Sequence, residues 1–345
     1  MFDQLAGNKS AKEILGRMLA AGRVPGALLF AGEEGVGKKL FALEVARALN
    51  CRERRGVEGC GKCSACARIA RFDYPDADDK DAHKRVIWSE HRDVGCVRPY
   101  NRSILVDAIR DLEAETNFRP AEGARRVFLV EDAERMNESA SNALLKTLEE
   151  PHATSHLILI TSRPASLLPT IRSRCQVVRF APLSVEEIEE YLVRTKKRAG
   201  REARLAAHLA RGRLGLALSL DIDAYREARE PLVGVVESLA ATGDRARLLR
   251  AAEELSDAKN KDLYEPRLDA LETLAHDLWL LSLKAPGARL VNEDLRERLS
   301  KLAAGLPPRR PARWLSRIEE LRAQLAVNVN RRAATDALFL SMASD

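Results

Sequence analysis

A glycine-rich loop between an apolar run and an amphipathic one constrains this chain more than any other feature. Ala27 to Ala31 reads as a short strand, Gly32-Glu33-Glu34-Gly35-Val36-Gly37-Lys38-Lys39 follows, and helical periodicity runs from Lys38 to Leu49. Strand, Gly-x-x-x-x-Gly-Lys and helix in that order is the context of a P-loop, whose glycines free backbone N–H groups to cradle phosphates while the lysine reaches the terminal ones. Gly32, Gly35, Gly37, Lys38 and Lys39 are therefore the candidate nucleotide-binding residues, with ATP or ADP as the ligand. The last position departs from the pattern. A P-loop ends in Ser or Thr because the hydroxyl coordinates Mg²⁺, and the ammonium of Lys39 cannot accept a metal bond. Lys39 can replace part of the missing charge, so binding and hydrolysis are separate questions at this loop.

The loop predicts its surroundings. Short β-branched runs alternate with helical patterns through the first half of the chain, as in a parallel sheet covered by helices. Further strands are expected at Arg85 to Ser89, Arg126 to Glu131, His156 to Thr161 and Gln176 to Phe180, with helices at Ser103 to Thr116 and Glu138 to Glu149. The segment from Asp73 to Tyr100 carries only one of these strands and no motif. After Pro182 the strands stop, and Ser184 with Glu187 forms a capping box that opens a run of helices. Leu271, Leu274, Leu278 and Leu281, then Trp314, Ile318, Leu321 and Leu325, keep helical spacing between breaks at Pro286, Gly287, Pro307 and Pro308. The expected fold class is α/β plus all-α. A doubly wound parallel sheet domain with the P-loop spans 1–181, a small helical domain 182–222 and a helical domain 223–345.

Composition agrees with that division. The 345 residues, at ~150 per domain, allow two to three cores, and 46% hydrophobic with 31% charged residues excludes a disordered chain. A net charge of +6 permits contact with nucleic acid without requiring it. No apolar run approaches the ~18 residues of a membrane span, and Asp3 stands where a signal peptide needs basic then apolar residues, so the expected location is the cytoplasm with no membrane partner. Basic clusters at Lys196-Lys197-Arg198 and at Arg309, Arg310 and Arg313 lack interleaved aromatics, which argues against a self-sufficient nucleic-acid module.

Four of the six cysteines fall in one stretch, Cys51-x8-Cys60-x2-Cys63-x2-Cys66. Four thiols on a Gly-containing loop can surround one ion tetrahedrally and leave no open position, which points to structural Zn²⁺ rather than catalysis. A [4Fe–4S] site wants another cysteine followed by proline shortly after the third, and Ala70 holds that place. Free thiols are the remaining alternative. Cys96 and Cys175 stand alone and are expected to be buried.

On the third expected strand, Val127-Phe128-Leu129-Val130 leads into Glu131-Asp132. A hydrolysing P-loop site ends this strand with an acid for Mg²⁺ followed by a glutamate that orients water, so the pair is the right chemistry in inverted order. Two longer runs carry a resemblance. Asn142-Ala143-Leu144-Leu145-Lys146-Thr147-Leu148-Glu149-Glu150-Pro151 and Leu168-Pro169-Thr170-Ile171-Arg172-Ser173-Arg174-Cys175, with the cysteine spacing after the P-loop helix, resemble bacterial clamp-loader subunits of the AAA+ superfamily. The resemblance covers about residues 1–220, and Asn328-Val329-Asn330 before the final apolar helix resembles the end of that family's collar domain. It implies an AAA+ domain with a zinc-binding insertion, a helical lid and a helical collar. It also implies gamma/tau and delta subunits as partners and, through the assembly, the sliding clamp and primer-template DNA. Three departures, Lys39, the Glu131-Asp132 order and Gly215 where an active subunit carries a sensor arginine, resemble the delta-prime branch rather than the ATP-hydrolysing gamma/tau branch. Arg174 of the Ser-Arg-Cys motif is then the residue that reaches a neighbour's ATP site, acting in trans.

Overall fold

The structure is a computed structural model, and it describes every residue except 1, 3, 4, 55, 77, 196, 199, 242, 258–262, 285, 286, 288, 326–329 and 345. Asp3, Lys196, Pro286 and the Asn328-Val329 pair therefore lie outside the described residues. By contact the chain forms two units, Met1–Thr195 with Ala210–Leu218, and Lys196–Leu209 with Ser219–Asp345.

The first unit contains α1 (Lys9–Ala20), β1 (Ala27–Ala31), α2 (Lys38–Asn50), α3 (Ser64–Ile69), β2 (Ile87–Trp88), β3 (Val94–Val97), α4 (Val106–Thr116), β4 (Arg126–Val130), α5 (Glu138–Glu149), β5 (Ser155–Thr161), α6 (Pro169–Arg174), β6 (Gln176–Arg179) and α7 (Val185–Arg194). Its six strands lie in the order β2-β3-β4-β5-β1-β6. All neighbours are parallel but β2 and β3, so crossover helices cover both faces and the central strands are buried throughout. Ala27 pairs with Leu157 and Ala31 with Thr161, which brings the carboxyl ends of β1 and β5 level at the mouth of the glycine loop. Leu29, Phe128, Leu144, Leu157 and Ile171 pack in one core. Each such side chain contributes about 1.5–3 kcal/mol by leaving water.

Two expectations need correction. The strand expected at Arg85 to Ser89 is only Ile87–Trp88, an antiparallel edge pair with Ile87 opposite Cys96. The parallel neighbour of β4 is instead β3, whose four residues were not anticipated. The chain reverses between them where Ser89 Oγ donates to the His91 carbonyl (3.0 Å) and accepts from the His91 amide (3.1 Å). The helix expected from Ser103 begins at Val106, because Ser103 and Tyr100 exchange backbone hydrogen bonds (3.0 and 3.2 Å) and the Ile104 amide bonds the Arg135 carbonyl (3.0 Å). The capping box is present: Ser184 Oγ accepts from the Glu187 amide (3.2 Å) and Glu187 Oε2 from the Ser184 amide (2.9 Å).

Beyond α7 come α8 (Gly200–Leu209), α9 (Leu214–Ser219), α10 (Ile222–Ala241), α11 (Arg245–Ser256), α12 (Tyr264–Ser282), α13 (Arg296–Ala303), α14 (Arg309–Leu325) and α15 (Arg331–Ser344). In the second unit Leu271, Leu274, Leu278, Trp314, Ile318 and Leu321 are buried as their spacing predicts. The fully buried Asp277 accepts from the amides of Val291 (2.9 Å) and Asn292 (2.8 Å), and Arg229 forks onto Asp294 and Asn292.

Candidate functional site

The glycine loop turns at the carboxyl end of β1 and delivers the chain into α2. Gly35 (φ 79°) and Gly37 (φ 99°) adopt left-handed backbone, and a Cβ at Gly32 would come within 2.3 Å of the Phe180 carbonyl oxygen. Of the residues the sequence assigns to nucleotide binding, Gly35, Gly37, Lys38 and Lys39 line a cavity of about 360 Å³ and Gly32 does not; Glu131, Asp132, Ile160, Ser162, Leu214 and Leu218 line it as well. Gly215 belongs to the same place, since its amide donates to the Gly35 carbonyl at 2.9 Å. A Cβ there would lie 3.5 Å from the Gly35 backbone, so the position has room for a side chain facing the loop.

The charges of this cavity are answered from within. Lys38 is buried and donates to the carbonyls of Gly32 and Glu33, both at 2.6 Å. Burial lowers its pKa, against the pull of Glu134 and Asp132. Lys39 Nζ lies 2.8 Å from Glu131 Oε1 and donates to the Tyr74 hydroxyl at 2.6 Å, with the Tyr74 ring centroid 4.9 Å away. Burial works to lower the Lys39 pKa, yet Glu131 and Tyr74 hold it above its ordinary value. Asp132 stands in left-handed backbone, faces Arg135 Nε at 3.7 Å and has its pKa raised by burial. The two acids therefore part company: the first closes on the loop's own lysine, and the second turns aside.

Four residues of this region escaped the sequence reading. Tyr74 falls in the stretch without a motif and reaches Lys39 because Phe72 bridges to Ser89 at the sheet edge. Glu134, three residues past Glu131, accepts from the Ser162 amide (3.2 Å) and hydroxyl, and these bonds hold its pKa down against burial. Ser162 itself directly follows β5. The signal available was position, at a strand's carboxyl end beside the loop. Glu149 is the fourth. It was read only as part of a family run, and it lies 2.6 Å from Arg174 Nη2.

Arg174 ends α6 and is partly exposed, its other amino group donating to the Thr170 carbonyl at 3.0 Å. It does not join the residues of the P-loop cavity. In the isolated chain it forms a surface ion pair with Glu149.

At the other end of α2 the four cysteines meet. The Sγ atoms of Cys51, Cys60, Cys63 and Cys66 all lie within 4.8 Å of one another, and Cys51 and Cys63 are 3.9 Å apart. Four sulfurs at about 2.3 Å from one tetrahedral ion would be about 3.8 Å apart, so the donor set fits a metal. Backbone amides of Cys60 and Cys63 already donate to Cys51 and Cys60 sulfurs, each at 3.2 Å, as they do to thiolates. Burial works to raise the Cys63 pKa, but backbone and thiol hydrogen bonds bring it down to about 6, while burial pushes Cys66 up. Cys96 and Cys175 are buried apart from this cluster, their pKa values raised by burial to about 12 and about 11. Of the basic clusters, Arg198 donates to the Leu220 carbonyl, and Arg310 donates to that of Leu239 (3.0 Å) and stacks on Trp314.

Residues 7–184 match the family model described as DNA polymerase III, delta subunit. The chain is similar to DNA polymerase III subunit delta′ of Escherichia coli, 30% identical over 93% of this chain and 89% of that one. It is similar to subunit delta′ of Bacillus subtilis at 28% identity, over 93% of this chain and 91% of that one. Subunit tau of Salmonella typhimurium is 28% identical over 89% of this chain, which spans 48% of that longer protein.

Proposed function

We propose a function from one premise, that the chain belongs to the DNA polymerase III delta-subunit family. It is a clamp-loader subunit, and it works in a complex with other clamp-loader subunits. In our reading it is the member that does not hydrolyse ATP. It joins gamma/tau and delta subunits, and the assembly places the sliding clamp on primer-template DNA.

The observation that carries this reading is the ion pair between Lys39 and Glu131. Phosphoryl transfer at a P-loop needs a metal held by the loop hydroxyl and by the strand-end acid. Here one position bears an ammonium and the other is bonded to it, so no metal-ligand pair remains to polarise a γ-phosphoryl group. Gly215, against the loop with no side chain, withholds a further positive charge. Arg174 supplies the complementary half. Its planar, permanently charged fork suits the spread charge of a phosphoryl group in transit, and it stands on the partly exposed end of α6, away from its own cavity. Docking would exchange Glu149 for the neighbour's nucleotide. The four cysteines hold Zn²⁺ as a structural ion that folds the 51–66 loop.

Reconstitution tests the reading. The purified chain is expected to turn over no ATP above background, to co-elute with gamma/tau and delta subunits on gel filtration, and to raise their DNA- and clamp-stimulated turnover. ATP turnover by the isolated chain that disappears on Lys38→Ala would make it a motor subunit instead.

A further inference from the structure

We propose that Lys39 is a built-in cation standing where a P-loop site otherwise holds a divalent metal, and that the cavity beside it takes a nucleoside diphosphate free of metal. The inference rests on the reading above that this site does not hydrolyse, and it goes on to say what the site binds.

Lys39 is the second residue of α2, one past the P-loop lysine Lys38. From the position that normally contributes a short hydroxyl, its longer side chain carries Nζ across to the strand-end acid, 2.8 Å from Glu131 Oε1. The ammonium thus replaces the loop hydroxyl and faces the strand-end acid with which that hydroxyl would share a metal. An ammonium has three N–H donors. One goes to the Tyr74 hydroxyl, and Glu131 faces the ammonium as an ion pair. Lys38 places two donors on loop carbonyls. Both lysines line the cavity.

A divalent cation finds poor ground here. Mg²⁺ demands near-octahedral oxygen ligation, usually through one or two carboxylates with phosphate oxygens and water. The hydroxyl is missing, Glu131 is paired, and the fixed positive charge of Lys39 repels a second cation at close range. A polyphosphate finds better ground. The loop keeps left-handed backbone at Gly35 and Gly37, and two ammonium groups each offer a charge-assisted donor. Ile160, Leu214 and Leu218 give the cavity an apolar wall, and its volume of about 360 Å³ falls in the range of small-ligand sites, about 300–1,000 Å³. Chain length of the phosphate follows from the acids. Asp132 lines the strand end of the cavity and Glu134 acts on Lys38 from the same side, so a γ-phosphoryl group arriving without a metal would add negative charge where it is already concentrated. A diphosphate stops short of that end.

The test titrates a fluorescent ADP analogue into the purified full chain in buffer cleared of divalent ions over a chelating resin, and again with Mg²⁺ added. Saturable binding with the same Kd in both buffers is the expected result, with the ATP analogue binding more weakly. Lys39→Met should weaken ADP binding about tenfold or more, the weight of one charge-assisted hydrogen bond. Lys39→Thr should make the remaining binding depend on Mg²⁺. Binding strengthened by Mg²⁺ in the unaltered chain, no saturable binding, or tighter binding of ATP would each overturn the proposal, and none of these needs a variant to fold. Assembly with gamma/tau and delta subunits is followed on the same samples. Intact assembly without ADP binding removes this inference alone, and failed assembly removes the reading beneath it.

Discussion

The P-loop and the four-cysteine loop leave opposite ends of one helix, α2, and they handle charge in opposite ways. At the amino end, Lys39 bonds Glu131 and Tyr74, and Lys38 bonds its own loop, so the cations are present and partnered. At the carboxyl end, four sulfurs converge within 4.8 Å with backbone amides aimed at them and, among the described residues, no side-chain cation among their hydrogen-bond partners. The first arrangement keeps its shape without a ligand. The second gathers four soft donors that could hold one metal ion. In the reading proposed above, the first site exchanges metal chemistry for rigidity, whereas the second couples folding to metal.

The largest effect should come from the metal. Replacing Cys63 by serine is expected to abolish a stoichiometric zinc ion, seen by elemental analysis, and to raise amide exchange across 51–71 while the sheet strands stay protected. Apparent binding energies near 10 kcal/mol are at stake in such loops. Iron in the unaltered protein, or no metal at all, would break the contrast between the two ends of α2.

Next in size is Arg174→Ala in a reconstituted complex. An arginine supplied in trans is worth about 10³ to 10⁵ in turnover at the site it completes. DNA- and clamp-stimulated ATP turnover should therefore fall at that site, less in total if other sites in the assembly keep their own arginines, with assembly and metal content unchanged. Unchanged turnover in a properly assembled complex would leave Arg174 as the partner of Glu149 only.

A smaller effect tests the internal cation. Glu131→Gln removes the charge that faces Lys39 but keeps a hydrogen-bond acceptor, and should cost about 1–2 kcal/mol in denaturant melts because the pair is only partly exposed. Exchange at the amides of the P-loop should quicken with it. No change in either would mean that the loop is held by its backbone alone.

The smallest effect concerns acid. Arg68 on α3 donates to both oxygens of Glu122 (3.0 and 2.6 Å), tying the cysteine insertion to the loop before β4. The Arg68 hydrogen bonds lower the Glu122 pKa to about 2. Its folded pKa lies below the ~4.3 of an unfolded glutamate, so the stabilisation is present above that value and is lost as pH falls towards 2. Solvent screening reduces it to about 1 kcal/mol. Melts between about pH 5 and about pH 3 should lose about half of this increment in the unaltered chain and none of it in Glu122→Gln.

Much of this was legible along the chain. Local periodicity placed β1 and α5 to the residue, and the spacing of the cysteines named their cluster, because neighbours in sequence are neighbours in those elements. The edge of the sheet was not legible. Val94–Val97 is too short and too mixed in composition, with Gly95 in its middle, to signal a strand, and it becomes one only because β4 offers a parallel partner. The second unit's helices followed from apolar spacing, while the buried Asp277 that organises the turn before α13 gave no local sign of its partners.

For the site itself, the sequence alone determined which chemistry is missing: a lysine in place of a hydroxyl is a statement about valence, and no fold can give an ammonium a lone pair. What replaces that chemistry was decided by tertiary structure. Lys39 meets Tyr74 and Glu131 from distant parts of the chain, and Arg174 meets Glu149 from another helix, through contacts that depend on how the strands are ordered in the sheet. Charge pairing of this kind is set by distance in space, to which spacing along the chain gives no access.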